Sequence, residues 1–261
     1  MAAPMAHAGT LLRDWRLRRR LSQLELACEV GISTRHLSFL ETGRSQPSRE
    51  MVLRLAEWLG VPLRERNTIL LAAGYAPVYS VKPLSDAALS AARKAVDCVL
   101  TGHEPFPALA VDRHWNLITA NRAVSPLLAG AAPELIAPPM NVLRLSLHPK
   151  GLAPRILNLS EWREHLLERL RHQLQATADP VLSELLQELC AYPVNSPQRT
   201  GHTNMNSLMV IPLQLATERG ALNLFSTTTV FGTPLDVTLS EIAIESFFPA
   251  DEETASALLH S

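Results

Sequence analysis

Apolar residues in the first quarter of the chain recur at helical spacing, in short runs that turn residues separate. Leu26, Ala27 and Val30 form one such run, and Gly31 follows where a helix would end. Ser22 and Ser33 each precede a run, as N-cap residues do. The pattern predicts five short helices: roughly 9–20, 23–30 and 34–42, a fourth that opens at Pro47-Ser48 and stops before Gly60, and a fifth that starts near Pro62 and ends at Gly74.

The pattern changes after residue 74. Residues 75–85 are rich in proline, which is typical of a linker, and 86–101 read as a helix with Leu89, Ala92, Val96 and Val99 on one side. That helix either packs on its own domain or connects two subunits of a dimer. We therefore divide the chain into a helical domain at 1–74, a linker and connecting helix at 75–103, and a second domain at 104–261.

The second domain alternates between strand and helix patterns. The segments "PALAVD" and "WNLITAN" predict two strands around a turn near Arg113-His114, and helices are expected at about 121–129, 160–176 and 180–191. Three further strands are predicted in "SLMVIPLQL", "GALNLFSTTTVF" and the run near "VTLSEIAIESFF". In this order, two strands come first, helices follow and three strands come last. The order indicates an α+β domain with one antiparallel five-stranded sheet and helices on one face.

The second and third predicted helices, joined by a glycine turn, form a helix-turn-helix. Leu37 and Leu40 define the buried side of the third helix, so that Arg35 and Phe39 point away from it. Such a helix fits the major groove, where Arg can bond base edges and an aromatic ring can contact a thymine methyl. The predicted contact set around it is Ser33, Thr34, Arg35, His36, Ser38, Phe39, Thr42 and Arg44.

Charge supports a polyanionic partner for the first domain. Residues 1–80 hold eleven Arg against seven Asp and Glu, whereas the whole chain of 261 residues has a formal net charge of −1. The remainder therefore carries −5, and the positive excess lies where DNA would bind.

The residues from Leu12 to Val61 resemble the Cro/repressor-type (XRE) helix-turn-helix family. The matching pieces are Arg16, Leu21-Ser22-Gln23, Leu26-Ala27, Gly31, Ser33, Leu37-Ser38, Leu40-Glu41, Gly43-Arg44, Pro47-Ser48 and Leu55-Ala56. The resemblance implies that Gln23 contacts phosphate and that Arg16 and Glu41 form a structural ion pair. Arg20 departs from the family, in which a glycine is common; a short helix extension or another phosphate contact could result.

Residues of about 105–250 resemble the ligand-binding domain of MmyB-like transcription regulators. The resemblance lies in Asp112, Trp115, Asn121, Asn141-Val142-Leu143-Arg144, Trp162 and Arg163, and it implies a PAS-like fold that holds an acyl or other apolar ligand. The ligand set predicted on this basis is Trp115, Leu117, Asn121, Leu143, Arg144, Trp162, Leu166 and Leu170.

These ligand residues have other interpretations. Each apolar side chain could belong to an ordinary core, Arg144 could be a surface charge rather than a carboxylate anchor, and Asn121 could fix a strand-to-helix turn. The segment 192–207 departs from the pattern of that family, which leaves its contribution to a pocket open.

Enzymatic and metal-binding functions find little support. The motifs GxSxG, HExxH, GxxxxGK[ST] and CxxC do not occur, the three cysteines lie far apart, and haem or flavin is not expected. On one helix, Glu164, His165, Glu168 and His172 could hold a metal, but they also read as exposed charge pairs. A self-cleaving repressor would cut at Ala129-Gly130 and needs a desolvated Lys beside its Ser nucleophile, and none of Lys82, Lys94 and Lys150 follows a Ser on a predicted strand.

The sequence therefore predicts a cytoplasmic, dimeric, sequence-specific transcription regulator whose second domain senses an apolar small molecule, such as a fatty-acid-like ligand. Its partners would be a double-stranded DNA operator, a second copy of the chain and the small-molecule effector. Neither a secretion signal nor a membrane-spanning helix is expected, and neither a cofactor nor a metal. The alternative is a DNA-binding regulator whose second domain serves only for dimerisation or protein interaction.

Overall fold

The computed structural model describes residues 7–83, 86–193, 211–218, 220–232 and 236–259. The chain divides into two compact units. The first runs to Pro83 and also takes in residues 233–240, and the second comprises residues 84–232 and 241–261. The helix that follows the linker therefore belongs to the second unit, and a short piece of the C-terminal half belongs to the first.

The first unit contains the five predicted helices, which confirms the helix-turn-helix prediction. Leu12, Leu26, Leu37, Leu40 and Leu55 lie in its core, each no more than 1% exposed. Serine side chains cap three of these helices by accepting backbone N–H bonds, and the helix that follows Ser22 has a full capping box. The bounds are α1 Ala8–Arg18, α2 Gln23–Val30, α3 Thr34–Glu41, α4 Arg49–Trp58 and α5 Leu63–Ala72.

Two glycines set the geometry of the helix-turn-helix. Gly31 ends α2 in the left-handed conformation, with φ of 70°, which a side chain would strain. Gly9 lets α1 approach α3 closely, because a Cβ at this position would lie 2.0 Å from the carbonyl oxygen of Leu40. Glycine at position 9 therefore permits the close packing of α3 on α1.

Helix α1 ends two residues before its predicted end. Arg20, at a position where a glycine is common in the XRE family, adopts a left-handed backbone with φ of 58°, so the chain turns there and the helix is not extended. The guanidinium of the neighbouring Arg19 donates to the carbonyl oxygens of Leu59 (2.8 Å) and Gly60 (3.0 Å), which ties the end of α1 to the end of α4.

The second unit is built on one antiparallel sheet, as predicted. Its strand order is β2-β1-β5-β4-β3, so that the last strand of the chain lies at the centre. In this centre Glu245 pairs with Leu109 on one side and Thr228 on the other. The bounds are β1 Ala108–Val111, β2 Leu117–Ala120, β3 Leu213–Thr217, β4 Gly220–Val230 and β5 Ala243–Pro249.

Helices complete this unit. The longest, α9, supplies Trp162, Leu166 and Leu170 to a core that it shares with α10 and with strands β3 and β4. Single turns of 3-10 helix occur at Ala87–Leu89 and Ala153–Arg155, and a longer one at Arg122–Leu128. The α-helices are α6 Ser90–Gly102, α7 Pro133–Ile136, α8 Val142–Leu147, α9 Leu159–Thr177, α10 Pro180–Ala191 and α12 Glu252–Leu259, with α11 Val237–Ser240 in the first unit.

Two details differ from the prediction, and a third prediction lies partly outside the described residues. Residues 237–240 are helical rather than strand, because the carboxylate of Asp236 accepts the backbone N–H of Thr238 (2.8 Å) and starts a turn. Helix α6 packs on β1 and buries Leu100 instead of Val99, which is 44% exposed. The predicted strand 207–215 begins outside the described residues, and its last three residues, 213–215, form the start of β3.

Candidate DNA-binding surface and ligand cavity

Helix α3 presents a cationic and aromatic surface. Arg35, Thr42 and Arg44 are exposed, whereas Leu37 and Leu40 on the opposite side of the helix are completely buried. The guanidinium carbons of Arg35 and Arg44 lie 5.3 Å and 5.8 Å from the ring centre of Phe39. Both contacts are within cation–π range, so the ring restrains the two arginines on one face of the helix.

Two hydroxyls of the predicted contact set bond the helix backbone. The Ser33 hydroxyl accepts the N–H of His36 (3.1 Å), and the Thr42 hydroxyl donates to the carbonyl oxygen of Ser38 (2.7 Å). Thr34, His36, Ser38 and Phe39 are partly exposed. The guanidinium groups of Arg35 and Arg44 are therefore the most accessible donors of the set.

A buried network lies beneath this surface. Arg16 on α1 donates to both carboxylate oxygens of Glu41 on α3, at 2.6 Å and 2.9 Å, and also to the carbonyl oxygen of Leu21 (2.6 Å). Gln23, at the start of α2, donates to the same carboxylate at 2.8 Å. Glu41 thus joins three helices, and the Gln23 amide that the resemblance assigns to phosphate is oriented by it.

The second unit encloses a cavity between the sheet and helices α8 and α9. Its volume is about 830 Å³ with the open space at its mouth included, and its wall is almost entirely apolar. The wall is formed by Pro107, Leu109, Trp115, Leu117, Val124, Leu127, Leu128, Met140, Val142, Leu143, Leu145, Ser146, Leu152, Trp162, Leu166, Arg169, Leu213, Leu215, Ser226, Glu245 and Phe247. A mostly apolar wall with a few polar groups is typical of a small-molecule site.

Five of the eight residues predicted for ligand binding lie in this wall: Trp115, Leu117, Leu143, Trp162 and Leu166. Leu170 lies in the core behind it, fully buried.

The two polar residues of the predicted set lie elsewhere. Asn121 bonds the backbone of Leu100, Phe106 and Ala108. Arg144 points to α10, where it donates to Glu188 at 2.7–2.9 Å and lowers the pKa of that carboxylate.

The cavity wall includes a buried ion pair that sequence reasoning missed. Arg169 on α9 donates to Glu245 on β5 at 2.6 Å and 3.2 Å, and the hydroxyl of Thr228 on β4 also donates to this carboxylate (2.8 Å). The Glu245 side chain is 5% exposed and that of Arg169 is 26% exposed. A signal was present: Arg169 falls on the helical stripe of Trp162 and Leu166, and a polar residue within such a stripe marks a candidate site.

Trp115 enters the cavity from a strained turn. Its φ is 67°, a conformation that is uncommon for a bulky residue. The Asp112 carboxylate holds the turn by accepting the N–H groups of His114 and Asn116, both at 2.8 Å. The indole N–H donates to Gln173 (2.7 Å), and the Arg169 guanidinium lies 4.9 Å from the ring centre. Strain in a cavity residue is typical of a functional site.

His165 lies on α9 beside the cavity wall, with its ring 5.5 Å from that of Trp162. Burial, and then the positive charge of Arg169, lower the pKa of this histidine, while Glu245 acts in the opposite direction. His165 therefore adds no positive charge near the ion pair at neutral pH.

Glu164, Glu168 and His172 of the candidate metal set form charge pairs on α9. Arg171 bonds Glu164 (2.7 Å) and Glu168 (3.1 Å), and His172 lies 3.2 Å from Glu168. Among the described residues, there is no group of three His, Cys, Asp or Glu side chains that could hold a metal ion. The structure therefore arranges these residues as the charge-pair interpretation requires.

Self-cleavage requires a desolvated lysine, and the three lysines are not buried. The ammonium group of Lys150 is 3.5 Å from the carboxylate of Glu134.

The comparisons with known proteins agree with this architecture. Residues 92–259 match the model of the MmyB-like transcription regulator ligand binding domain, which is more than half of the chain. The chain belongs to the MmyB-like transcription regulators. In this regulator a helix-turn-helix domain model also matches residues 7–69, which makes it a DNA-binding protein with a ligand-binding domain.

Individual proteins add little to this assignment. No curated protein matches the chain significantly. The chain is similar at 13% identity and a TM-score of 0.27 to the "Structure of an RNA-binding Light-Oxygen-Voltage Receptor", and the match covers 96% of this chain and 61% of that one. Similarity at this level carries no functional argument. Within the described part of the chain, helices that are long and apolar enough to cross a membrane do not occur.

Proposed function

We propose that this regulator binds a specific DNA operator through α3 and that an apolar small molecule, held in the cavity of the second unit, alters this binding. The observation that carries the proposal is the coexistence of the arginine-bearing face of α3 with an apolar cavity in one chain. A domain that served only for dimerisation or protein interaction would gain nothing from such a cavity, because empty apolar volume costs stability.

Sequence recognition is assigned to Arg35 and its neighbours. Arg35 lies in the first turn of α3, the part of a recognition helix that reaches furthest into the major groove. Its guanidinium can donate two hydrogen bonds to guanine O6 and N7. Two copies of the chain would read half-sites about one helical turn apart, as dimeric helix-turn-helix proteins do.

Arg35→Ala tests this assignment. We expect operator affinity to fall about 10- to 100-fold, because a bidentate base contact is lost, with a much smaller change on unrelated DNA. Fluorescence anisotropy on a selected operator and a scrambled duplex measures both. The control is Arg54→Ala, which removes the same charge from an exposed position on α4. An equal loss on both duplexes would contradict base reading by Arg35.

The cavity is tested with the neutral apolar dye N-phenyl-1-naphthylamine. We expect saturable binding of one dye per chain, and native mass spectrometry of the purified protein should detect a retained small molecule. Leu166→Phe narrows the cavity and should weaken dye binding, whereas Leu71→Phe, at an exposed site on α5, should not. Absence of both dye binding and a retained molecule would contradict ligand sensing.

The effect on DNA binding requires a separate measurement. A ligand changes operator affinity only if it binds the DNA-competent and DNA-free states with different affinities. Operator titrations with and without saturating dye or lipid extract measure this coupling, and identical curves would show that the cavity does not regulate DNA binding.

A further inference from the structure

The charge balance of the cavity wall restricts what the cavity can hold. Arg169 and Glu245 are the charged side chains among the described residues of the wall. They neutralise each other through two hydrogen bonds, and the rest of the wall is mostly apolar. The Arg169–Glu245 pair is therefore a polar part of the wall that carries no net charge.

We propose, on the basis of the ligand-sensing function above, that the ligand is an amphiphile whose polar end is uncharged, such as a long-chain alcohol or amide, and that the Arg169–Glu245 pair selects it. This proposal excludes a ligand whose free carboxylate lies at the Arg169–Glu245 pair. It therefore restricts the apolar effector to molecules with an uncharged polar end.

The hydrogen-bonding capacity of the pair fits such an end. The guanidinium has five N–H groups, and Glu245 and Thr228 accept from only its two terminal nitrogens. The Glu245 carboxylate has room for further donors, since Oε2 accepts a single bond, from Arg169. A hydroxyl or amide group can donate to this carboxylate and accept from the guanidinium at the same time. The hydroxyls of Ser146 and Ser226 supply further polar contacts in the same wall.

A carboxylate fits badly. A fatty-acid head at Arg169 would place two carboxylates around one guanidinium, in a wall where Glu245 is almost completely buried. One negative charge would then be uncompensated in a poorly solvated site, which is costly. His165 cannot offset this charge at neutral pH, because burial and Arg169 keep it uncharged.

Decan-1-ol and decanoate test the proposal, because they have the same chain length and differ in charge. Displacement of N-phenyl-1-naphthylamine from the full-length protein at pH 7.5 gives the affinity of each. We expect the alcohol to bind at least tenfold more tightly to the wild type. Decanoate that binds as tightly as the alcohol would overturn the selection by charge while leaving ligand sensing intact. If neither the dye nor the two ten-carbon compounds bind to the protein, the proposed function is overturned as well.

The variant Glu245→Gln tests the role of the ion pair in ligand selection. This change keeps the shape of the side chain and leaves the Arg169 charge without its partner, so the preference should reverse to decanoate by at least tenfold. Glu168→Gln, at an exposed position on the same helix as Arg169, is the matched control and should keep the preference of the wild type. An unchanged preference in a folded Glu245→Gln protein would overturn the role of the pair. Should that variant not fold, the wild-type comparison decides alone.

Discussion

Arg20 adopts a backbone conformation that lowers the stability of the folded protein. Its backbone is left-handed, with φ of 58°, at the place where α1 gives way to α2. A side chain raises the energy of this conformation by about 1 kcal/mol, whereas glycine adopts it freely. The residue is exposed.

Arg20→Gly should therefore stabilise the protein, by up to about 1 kcal/mol, because the relief of strain exceeds the entropy that glycine adds to the unfolded chain. Urea denaturation measures the change. Arg20→Ala removes the same charge but keeps the Cβ, and should give little gain. Equal stabilisation by both variants would show that charge, not backbone strain, is responsible.

His165 gives stability a dependence on pH. Its pKa in the folded state lies below the value in the unfolded chain, mainly through burial and then through Arg169. The unfolded state consequently takes up a proton first as the pH falls. The stability that this histidine contributes is complete above about pH 6.5 and is lost as the pH falls through the folded-state pKa.

His165→Gln should reduce the decrease in melting temperature between pH 7.5 and pH 5.5, because the variant lacks the group that protonates. Differential scanning fluorimetry at both pH values measures it. The control is His172→Gln, at an exposed position of the same helix. A decrease as large as in the wild type would refute the assignment to His165.

At the level of elements, the helix-turn-helix depends on the close approach of α1 and α3. Gly9 permits this approach, since a Cβ there would overlap the Leu40 carbonyl at 2.0 Å. The Arg16–Glu41 pair then joins the same two helices. Position and orientation of α3 thus depend on one missing side chain and one buried ion pair.

Gly9→Ala should destabilise the protein by about 1–3 kcal/mol or more, because backbone rather than a flexible side chain has to move. Thermal denaturation measures the loss, and Thr10→Ala at the adjacent exposed position is the control. An unchanged melting temperature for Gly9→Ala would mean that the helices can separate at little cost.

The elements also show what could be predicted from the sequence. The five N-terminal helices and the antiparallel sheet followed from periodicity and caps, because burial of one face leaves a regular pattern. The turn at 237–240 was missed because it depends on one side-chain cap, that of Asp236.

The cavity was predicted only in part. Trp162 and Leu166 were found because apolar residues repeat along α9. The pairing of Arg169 with Glu245 joins residues 76 positions apart, and such a contact has no local pattern. The predicted ligand set included Arg144, with a surface charge as the alternative, and the residue binds Glu188, a partner that only the packing of α8 near α10 reveals.

At the scale of the whole molecule, the first unit is completed by residues from far along the chain. Val237 is completely buried, its N–H donates to the carbonyl oxygen of Ser80 (2.8 Å), and α11 packs on α5. The Thr238 hydroxyl donates to the carbonyl oxygen of Lys82 (2.5 Å). The connection between β4 and β5 thus contributes to the stability of the helical unit.

Val237→Ala should therefore increase amide hydrogen exchange in α5, although α5 lies some 165 residues earlier in the sequence. The loss of a buried side chain is expected to cost about 1–3 kcal/mol. Hydrogen-exchange mass spectrometry resolves the effect by segment. Val230→Ala, at an exposed position of β4, is the matched control. Exchange in α5 that does not change would contradict a stabilising contact between α11 and α5.

This discontinuity has a practical consequence for chimeric regulators. If the ligand-binding domain were exchanged at a single junction in the proline-rich linker, α5 would lose its contact with α11. A segment of the new domain would take the place of residues 233–240. A workable exchange has to transplant residues 233–240 together with the DNA-reading half, as a short graft inside the new sensor. A chimera designed as if the two domains were independent and joined only by the linker would lack these residues, and we expect its helical unit to be less stable.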